Sequence, residues 1–184
     1  MGLLKKGRNN GADNLIALLA SKSAANLPGE DETDWGSDYV NCYAWAANCE
    51  SPLSGKPDPG KFSKKKAKAG NVFTAELLIN GARADGMFYG ANYPENKSLE
   101  DLSGYYCVAL YLSKNGADHH WYRRDPLTGY WTHKPGPQGI RNYSSGFAVL
   151  PQSLNLANHN YKTENTNYQF VAYFYVPEEG IQVG

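Results

Sequence analysis

The strongest constraint on the fold is the run Tyr105–Leu112 (YYCVALYL), eight successive residues without a charged side chain. Its apolar, aromatic and β-branched residues predict a strand that is fully buried. Gln169–Val176 (QFVAYFYV) has the same character and predicts a second strand. The shorter strand candidates are His119–Arg124, Gly129–His133 and Phe147–Leu150.

Helical patterns lie mainly in the first half of the chain. Asn14–Ala25 (NLIALLASKSAA) has one leucine-rich face and predicts a short helix. Small residues favour a second helix that begins near Cys42, and Thr74–Ala84 predicts a third, with Thr74 near its N-cap. Helices followed by an antiparallel sheet predict the α+β class.

Length and charge narrow the function classes. The chain has 184 residues, so we expect one domain over residues 14–184, preceded by a mobile, basic arm at residues 1–13. Its 18 basic and 18 acidic side chains give no excess of positive charge, which argues against a nucleic-acid partner. No apolar run approaches the roughly 20 residues of a membrane span. We expect a monomer.

The N-terminal sequence MGLLKK is too short and too polar to open a secretory signal. We therefore expect synthesis in the cytoplasm without a cleavable signal peptide. Export by a signal-independent route stays open.

Cys42 is the first candidate for chemistry. It falls at the predicted first turn of a helix, where partial positive charge favours the reactive thiolate. Free backbone N–H groups at such a position can also stabilise an oxyanion. The alternative is a small buried cysteine with a purely structural role.

A candidate base lies in the block Asp118–Gly136, which contains three of the four histidines. With Asp125–Thr128 as the turn of a hairpin, His120 pairs with His133, Tyr122 with Trp131 and Arg124 with Gly129. His120 then serves as general base, and His133 orients it. A shift of one residue would replace His120 by His119.

The motif NCYAWAA around Cys42 resembles the nucleophile helix of the papain-like cysteine peptidases, and a later strand opens with histidine. The similarity covers roughly Asp38–Pro135 and extends to the bacterial cell-wall amidase branch. The block ending in THKPG also resembles one in uncharacterised bacterial and phage proteins.

This resemblance implies a papain-like fold, with the nucleophile helix packed on an antiparallel sheet. It also implies amide hydrolysis through a thioester, without a cofactor or a metal. Cys42 would be the nucleophile, His120 the base and His133 the orienting residue. The substrate would be a peptide, peptidoglycan or a protein, and the enzyme a toxin, an effector or a cell-wall or phage-associated hydrolase.

Other residues have secondary roles in this hypothesis. No glutamine lies just upstream of Cys42, so Asn41 or a backbone N–H near residues 36–37 would complete the oxyanion hole. Arg124 is more typical of a turn cap, but it could clamp a substrate carboxylate. Trp121 could contact substrate, although we expect it mainly in the core.

Two rival classes remain. Cys42, Cys49, His119 and His133 could bind zinc, but the spacing of the two cysteines is too wide for a typical structural zinc site. Disulfides between Cys42 and Cys49, or between Cys49 and Cys107, are also conceivable. A non-catalytic module could bind carbohydrate or protein through a tyrosine-rich sheet. The lysine run KFSKKKAKAG is typical of a solvated face and could also attract an anionic polymer.

Overall fold

The computed structural model describes residues 40–53, 55–90, 104–124, 129–136, 139–141 and 166–184. This part of the chain has a mixed α+β architecture with antiparallel sheets, as the sequence predicts. The predicted arm at residues 1–13, the helix Asn14–Ala25 and the strand Phe147–Leu150 lie outside the described residues.

Seven strands and two helices are described. The helices are α1 (Cys42–Ala46) and α2 (Ala75–Asp85). The strands are β1 (Lys68–Ala69), β2 (Val72–Phe73), β3 (Phe88–Gly90), β4 (Tyr105–Ser113), β5 (His119–Arg124), β6 (Trp131–His133) and β7 (Tyr168–Pro177). None of the helices described is both long and apolar enough to cross a membrane.

The main sheet has the order β3-β7-β4-β5-β6, and each pair of neighbours is antiparallel. The two long apolar runs form β4 and β7, which lie side by side within it. Both strand predictions are therefore confirmed. A separate hairpin joins β1 to β2.

Side chains alternate between two faces of the main sheet. We call the face that packs on α1 and α2 the helical face; it carries Val108, Leu110, Trp121 and Phe174. The opposite, aromatic face has its own buried cluster, formed by Cys107, Ala109, Tyr111, Tyr122, Trp131, Tyr168 and Tyr173. Because successive strand residues point to opposite faces, neighbouring residues of β5 belong to different cores.

Local signals fix both helices. Asn41 caps α1 through its side-chain oxygen, which accepts from the amides of Tyr43 and Ala44. Thr74 caps α2 in the same way, and the helix ends at Gly86 with φ 115°. The predicted helix start at Cys42 and the predicted cap at Thr74 are both confirmed. However, α1 is only five residues long.

Asp85, buried at the end of α2, holds the irregular segment 58–66 against both helices. Its carboxylate accepts from the amides of Gly60 (2.6 Å) and Ser63 (3.0 Å) and from the hydroxyl of Tyr43 in α1 (2.9 Å). The segment also approaches α2 closely, since a Cβ on Gly81 would lie 2.5 Å from the carbonyl oxygen of Pro59. Residues 58–66 are therefore anchored rather than free.

The predicted pairing of β5 with β6 is wrong by two residues. Arg124 pairs with Trp131 instead of Gly129, and Tyr122 pairs with His133 instead of Trp131. Gly129 has φ 72°, a left-handed conformation that cannot continue a strand, so β6 begins later than predicted. A shift of two leaves every side chain on its predicted face.

Candidate functional site

Cys42 is the first residue of α1, and its thiol lies against the backbone of β5. The Sγ atom is 3.8 Å from the carbonyl oxygen of His119. Because β6 pairs only with Tyr122–Arg124, the sulfur occupies the edge of β5 that β6 does not reach. The side chain is buried, with 6% exposure.

The expected shift of Cys42 towards thiolate is contradicted. Burial, followed by the negative charge of Asp118, raises the pKa of the thiol to about 12. The backbone amides of Trp121 and Tyr43 lower this pKa only in part. A five-residue helix offers little dipole, and desolvation of the charged sulfur outweighs it. At neutral pH the resting side chain is a thiol.

His119 lies on the helical face, and its imidazole has a partner at each nitrogen. Nδ1 is 3.1 Å from Nε1 of Trp121, and Nε2 is 3.3 Å from Oδ1 of Asp58. Indole N–H can only donate, so Nδ1 accepts and the neutral ring carries its proton on Nε2. The ring also meets the edge of Phe73 at 4.7 Å between centroids. Its orientation and tautomer are therefore fixed.

Asp58 provides the carboxylate at this site. Burial opposes its ionisation, but the hydrogen bond to His119 and the charges of His119, Lys68 and Lys61 lower the pKa below its ordinary value. The sequence prediction did not include Asp58. Its setting, Pro57-Asp58-Pro59-Gly60, is typical of a turn, and no spacing rule connects it to a histidine 61 residues later.

His120 and His133 lie together, as the sequence predicts, but on the aromatic face. Nε2 of His120 is 2.8 Å from Nδ1 of His133, and Tyr122 stacks on the His133 ring at 4.8 Å. Burial, then the charges of His133 and His119, hold the pKa of His120 well below its ordinary value. The sheet lies between this pair and α1, so the structure does not bring the His120 imidazole to Cys42.

The structure gives packing or hydrogen-bonding roles to the other predicted site residues, Asn41, Trp121 and Arg124. Asn41 caps α1 with its oxygen and donates from Nδ2 to the carbonyl oxygen of Pro57 at 2.8 Å, which ties α1 to the segment that contains Asp58. Trp121 is fully buried on the helical face, as expected of a core residue. Nε of Arg124 donates to the carbonyl oxygen of Gly129 at 3.1 Å, in the predicted role of a turn cap.

Cys42, Cys49 and Cys107 are all free thiols, so neither conceivable disulfide is formed. Within the described ranges, no group of three or more histidine, cysteine or acidic side chains is arranged to hold a metal ion. Cys49 instead accepts a hydrogen bond from Nε2 of Gln182. The conceivable zinc set is also split between the two faces of the sheet, because His133 lies on the aromatic face.

Comparison with known proteins adds no family to this description. No family model, no curated protein and no solved structure matches the chain. The chemistry open to the site therefore follows from its own residues.

Proposed function

We propose that the protein is a cysteine hydrolase of papain-like layout that cleaves an amide through a thioester intermediate. Cys42 is the nucleophile, His119 is the general base and acid, and Asp58 orients His119. The substrate is an amide of a peptide, peptidoglycan or protein. The observation that carries the proposal is the pairing of the His119 ring with Asp58 at 3.3 Å, in a residue whose backbone carbonyl oxygen lies 3.8 Å from the buried thiol.

The supporting geometry has three parts. The thiol is attached to a capped helix that packs on an antiparallel sheet. The histidine opens a strand of that sheet and lies on the face towards the helix. Finally, Asn41 bonds both the first turn of α1 and Pro57, which fixes the nucleophile relative to the neighbouring Asp58. Nucleophile, base and orienting group are the components of a catalytic triad.

In the proposed reaction the sulfur of Cys42 attacks the carbonyl carbon while its proton passes to Nδ1 of His119. The C–N bond then breaks, and His119 returns the proton to the leaving amine. Water hydrolyses the thioester with His119 again as base, and the carboxylic acid product leaves. Asp58 accepts the Nε2–H throughout and stabilises the imidazolium that forms.

The raised pKa of Cys42 determines how this reaction begins. A resting thiol must lose its proton as it attacks, so His119 acts as a true general base rather than as half of a preformed ion pair. At rest, the Nδ1 lone pair accepts from Trp121. The Cys42 thiol must therefore replace the indole as donor when substrate binds.

Cys107 is a matched control for Cys42. It is fully buried, and burial raises its pKa to about 12, as for Cys42, but it lies on the aromatic face. Mixing the protein with p-nitrophenyl acetate should release about one equivalent of p-nitrophenolate in a burst. Peptide mapping should place the acetyl group on Cys42, and Cys107→Ala should retain the burst that Cys42→Ala lacks.

Absence of a burst, or equal acetylation of Cys42 and Cys107, would contradict the proposal. The second function, a non-catalytic binding module, is favoured by the small exposure and high pKa of the thiol. It predicts that both thiols stay unmodified by the ester until the protein is unfolded.

A further inference from the structure

A cleft of about 400 Å³ opens beside the candidate site and is strongly basic. Five lysines and one aspartate line it, and we call it the lysine cleft: Asp58, Lys61, Lys64, Lys65, Lys66 and Lys68. All five lysines are exposed. A volume of this order accommodates a small ligand or several side chains of a peptide.

The backbone that presents these lysines is ordered by its own hydrogen bonds. The amide of Lys61 donates to the carbonyl of Asp58 at 3.0 Å, and that of Lys65 donates to Gly60 at 2.7 Å. The buried carboxylate of Asp85 accepts from the amides of Gly60 and Ser63. An anchored segment loses little conformational freedom on binding, which favours a preformed site.

The positive charge of the cleft is not neutralised from within. Its one carboxylate, Asp58, accepts a hydrogen bond from Nε2 of His119, and among the described residues no cleft lysine lies within 4.0 Å of a carboxylate. Lys68 rests its ammonium group over the ring of Phe73 at 4.2 Å rather than on a carboxylate. Five like charges in one cleft repel one another and raise the local concentration of anions.

The cleft is also continuous with the candidate site. Asp58 lines the cleft and contacts the imidazole of His119. Phe73 contacts the ammonium group of Lys68 on one side and the ring of His119 on the other. In addition, the charges of Lys61 and Lys68 act on the ionisation of Asp58. A ligand held by the lysines would therefore lie next to His119.

We infer that the lysine cleft binds a run of acidic side chains in a peptide or protein. That this ligand is the substrate rests on the proposed hydrolase function, whereas its binding does not. A peptide fits better than a single-stranded nucleic acid. The net charge of the chain is zero, and the cleft lining offers no aromatic side chain on which bases would stack.

The test uses the full chain with Cys42→Ala, so that binding is measured without turnover. Fluorescein-labelled hexaglutamate is titrated at low ionic strength, and fluorescence anisotropy is compared with that of labelled hexaglutamine. We expect the acidic peptide to bind and added salt to weaken it, while the neutral peptide binds at least about tenfold more weakly.

Two double variants with equal loss of charge locate the site. Lys65→Gln with Lys66→Gln removes two cleft lysines, whereas Lys56→Gln with Lys114→Gln removes two exposed lysines outside it. We expect the first pair to weaken hexaglutamate binding about fivefold and the second less than about twofold. Circular dichroism checks that both variants remain folded.

Equal losses in the two double variants would overturn the inference, as would equal binding of hexaglutamate and hexaglutamine. Tighter binding of labelled hexathymidylate than of hexaglutamate would also overturn it, in favour of nucleic acid. If the cleft binds hexaglutamate but the wild type never forms an acyl-enzyme, only the proposed hydrolase function is refuted. If the wild type forms an acyl-enzyme but hexaglutamate and hexaglutamine bind equally, only the inference about the lysine cleft is refuted.

Discussion

The two faces of β5 carry adjacent histidines in opposite environments. On the helical face, the ring of His119 is hydrogen-bonded to a partly exposed carboxylate, Asp58, which lines an open basic cleft, and the backbone carbonyl of His119 meets the Cys42 thiol. On the aromatic face, His120 is bonded to a second buried imidazole, that of His133, among tyrosines. The covalent chemistry of the two residues is identical, so the difference arises from which side of the sheet each one enters.

This difference separates a histidine suited to proton transfer from one suited to packing. A base needs an acceptor that stabilises its protonated form, and Asp58 provides one for His119. His120 faces the reverse situation, because burial and a neighbouring imidazole both disfavour its charge. We therefore expect changes on the helical face to affect chemistry and changes on the aromatic face to affect stability.

The largest expected effect comes from exchanging one histidine at a time for glutamine. His119→Gln should slow acylation of Cys42 by p-nitrophenyl acetate about 10³-fold, because the proton acceptor is lost. His120→Gln should change that rate less than about threefold while it lowers the denaturation midpoint. Stopped-flow absorbance gives the rate, and urea unfolding gives the stability.

The opposite result would move the base to the aromatic face. Loss of acylation in a folded His120→Gln protein, with His119→Gln unaffected, would restore the assignment predicted from the sequence. Cys42→Ala provides the baseline for both variants, since it removes the nucleophile and leaves both imidazoles.

The sequence predicts the sheet better than it predicts the site. Long apolar runs fix β4 and β7, and the alternation of strands places His120 and His133 on one face. These features depend on local pattern and on the alternation of side chains between the two faces of a strand. A register shift of two residues leaves that alternation unchanged. The helix caps at Asn41 and Thr74 are likewise local.

The pairing of Cys42 with a histidine depends on which face α1 covers, and no local pattern determines that. The adjacent residues Trp121 and Tyr122 point to opposite faces of β5, and both are large side chains that pack well in a core. The sequence therefore does not indicate which face a helix covers. Asp58 is harder still to predict, since it reaches His119 only because Asp85 and Gly81 hold its segment against α2. Such long-range contacts leave no periodic signal.

Asp85→Asn should give the largest loss of stability on the helical face. The buried carboxylate accepts from Gly60, Ser63 and Tyr43, and an amide of the same shape cannot accept all three bonds. We expect the free energy of unfolding to fall by about 2–4 kcal/mol, because buried donors are left unsatisfied. Urea denaturation at pH 7 measures the change.

The exposed Glu179 offers a control for Asp85. Glu179→Gln removes the same charge and should alter the stability by less than about 0.5 kcal/mol. Similar losses in the two variants would mean that net charge, rather than the anchoring of residues 58–66, accounts for the effect. That outcome would weaken the argument for a preformed lysine cleft.

The aromatic face should make the stability sensitive to mild acid. In the unfolded chain a histidine titrates with a pKa of about 6.5, whereas the fold holds the pKa of His120 well below that value. The unfolded state therefore binds more protons below about pH 6.5, and the native state loses stability as the pH falls. One such group contributes at most about 1.4 kcal/mol per pH unit.

Urea unfolding of the wild type at pH 7.5, 6.5 and 5.5 measures the dependence of stability on pH. His120→Gln should reduce this dependence by at most the contribution of one proton, about 1.4 kcal/mol per pH unit. An unchanged slope in His120→Gln would show that His120 is protonated in the native state, contrary to its burial beside His133. The two faces of β5 would then not differ in whether they disfavour a charged histidine.

The smallest expected effect on stability comes from Asp58→Asn. The Asp58 side chain is 37% exposed, so solvent screens its interaction with His119, and we expect a loss below about 1 kcal/mol at pH 7. The fold lowers the pKa of Asp58, so the contribution is present above the unfolded pKa of about 3.9 and is lost as the pH falls through the lower, folded pKa. Wild type and variant should therefore converge in stability in strong acid.

The same variant should slow acylation of Cys42 at least about tenfold, because the neutral amide stabilises the imidazolium of His119 less well than the carboxylate does. A large kinetic loss with a small loss of stability is what an orienting residue produces. A purely structural contact would give a small loss in both measurements. Since Asp58 is the only group that links His119 to the lysine cleft by a hydrogen bond among the described residues, this one substitution separates a built catalytic site from a buried thiol that happens to lie beside a histidine.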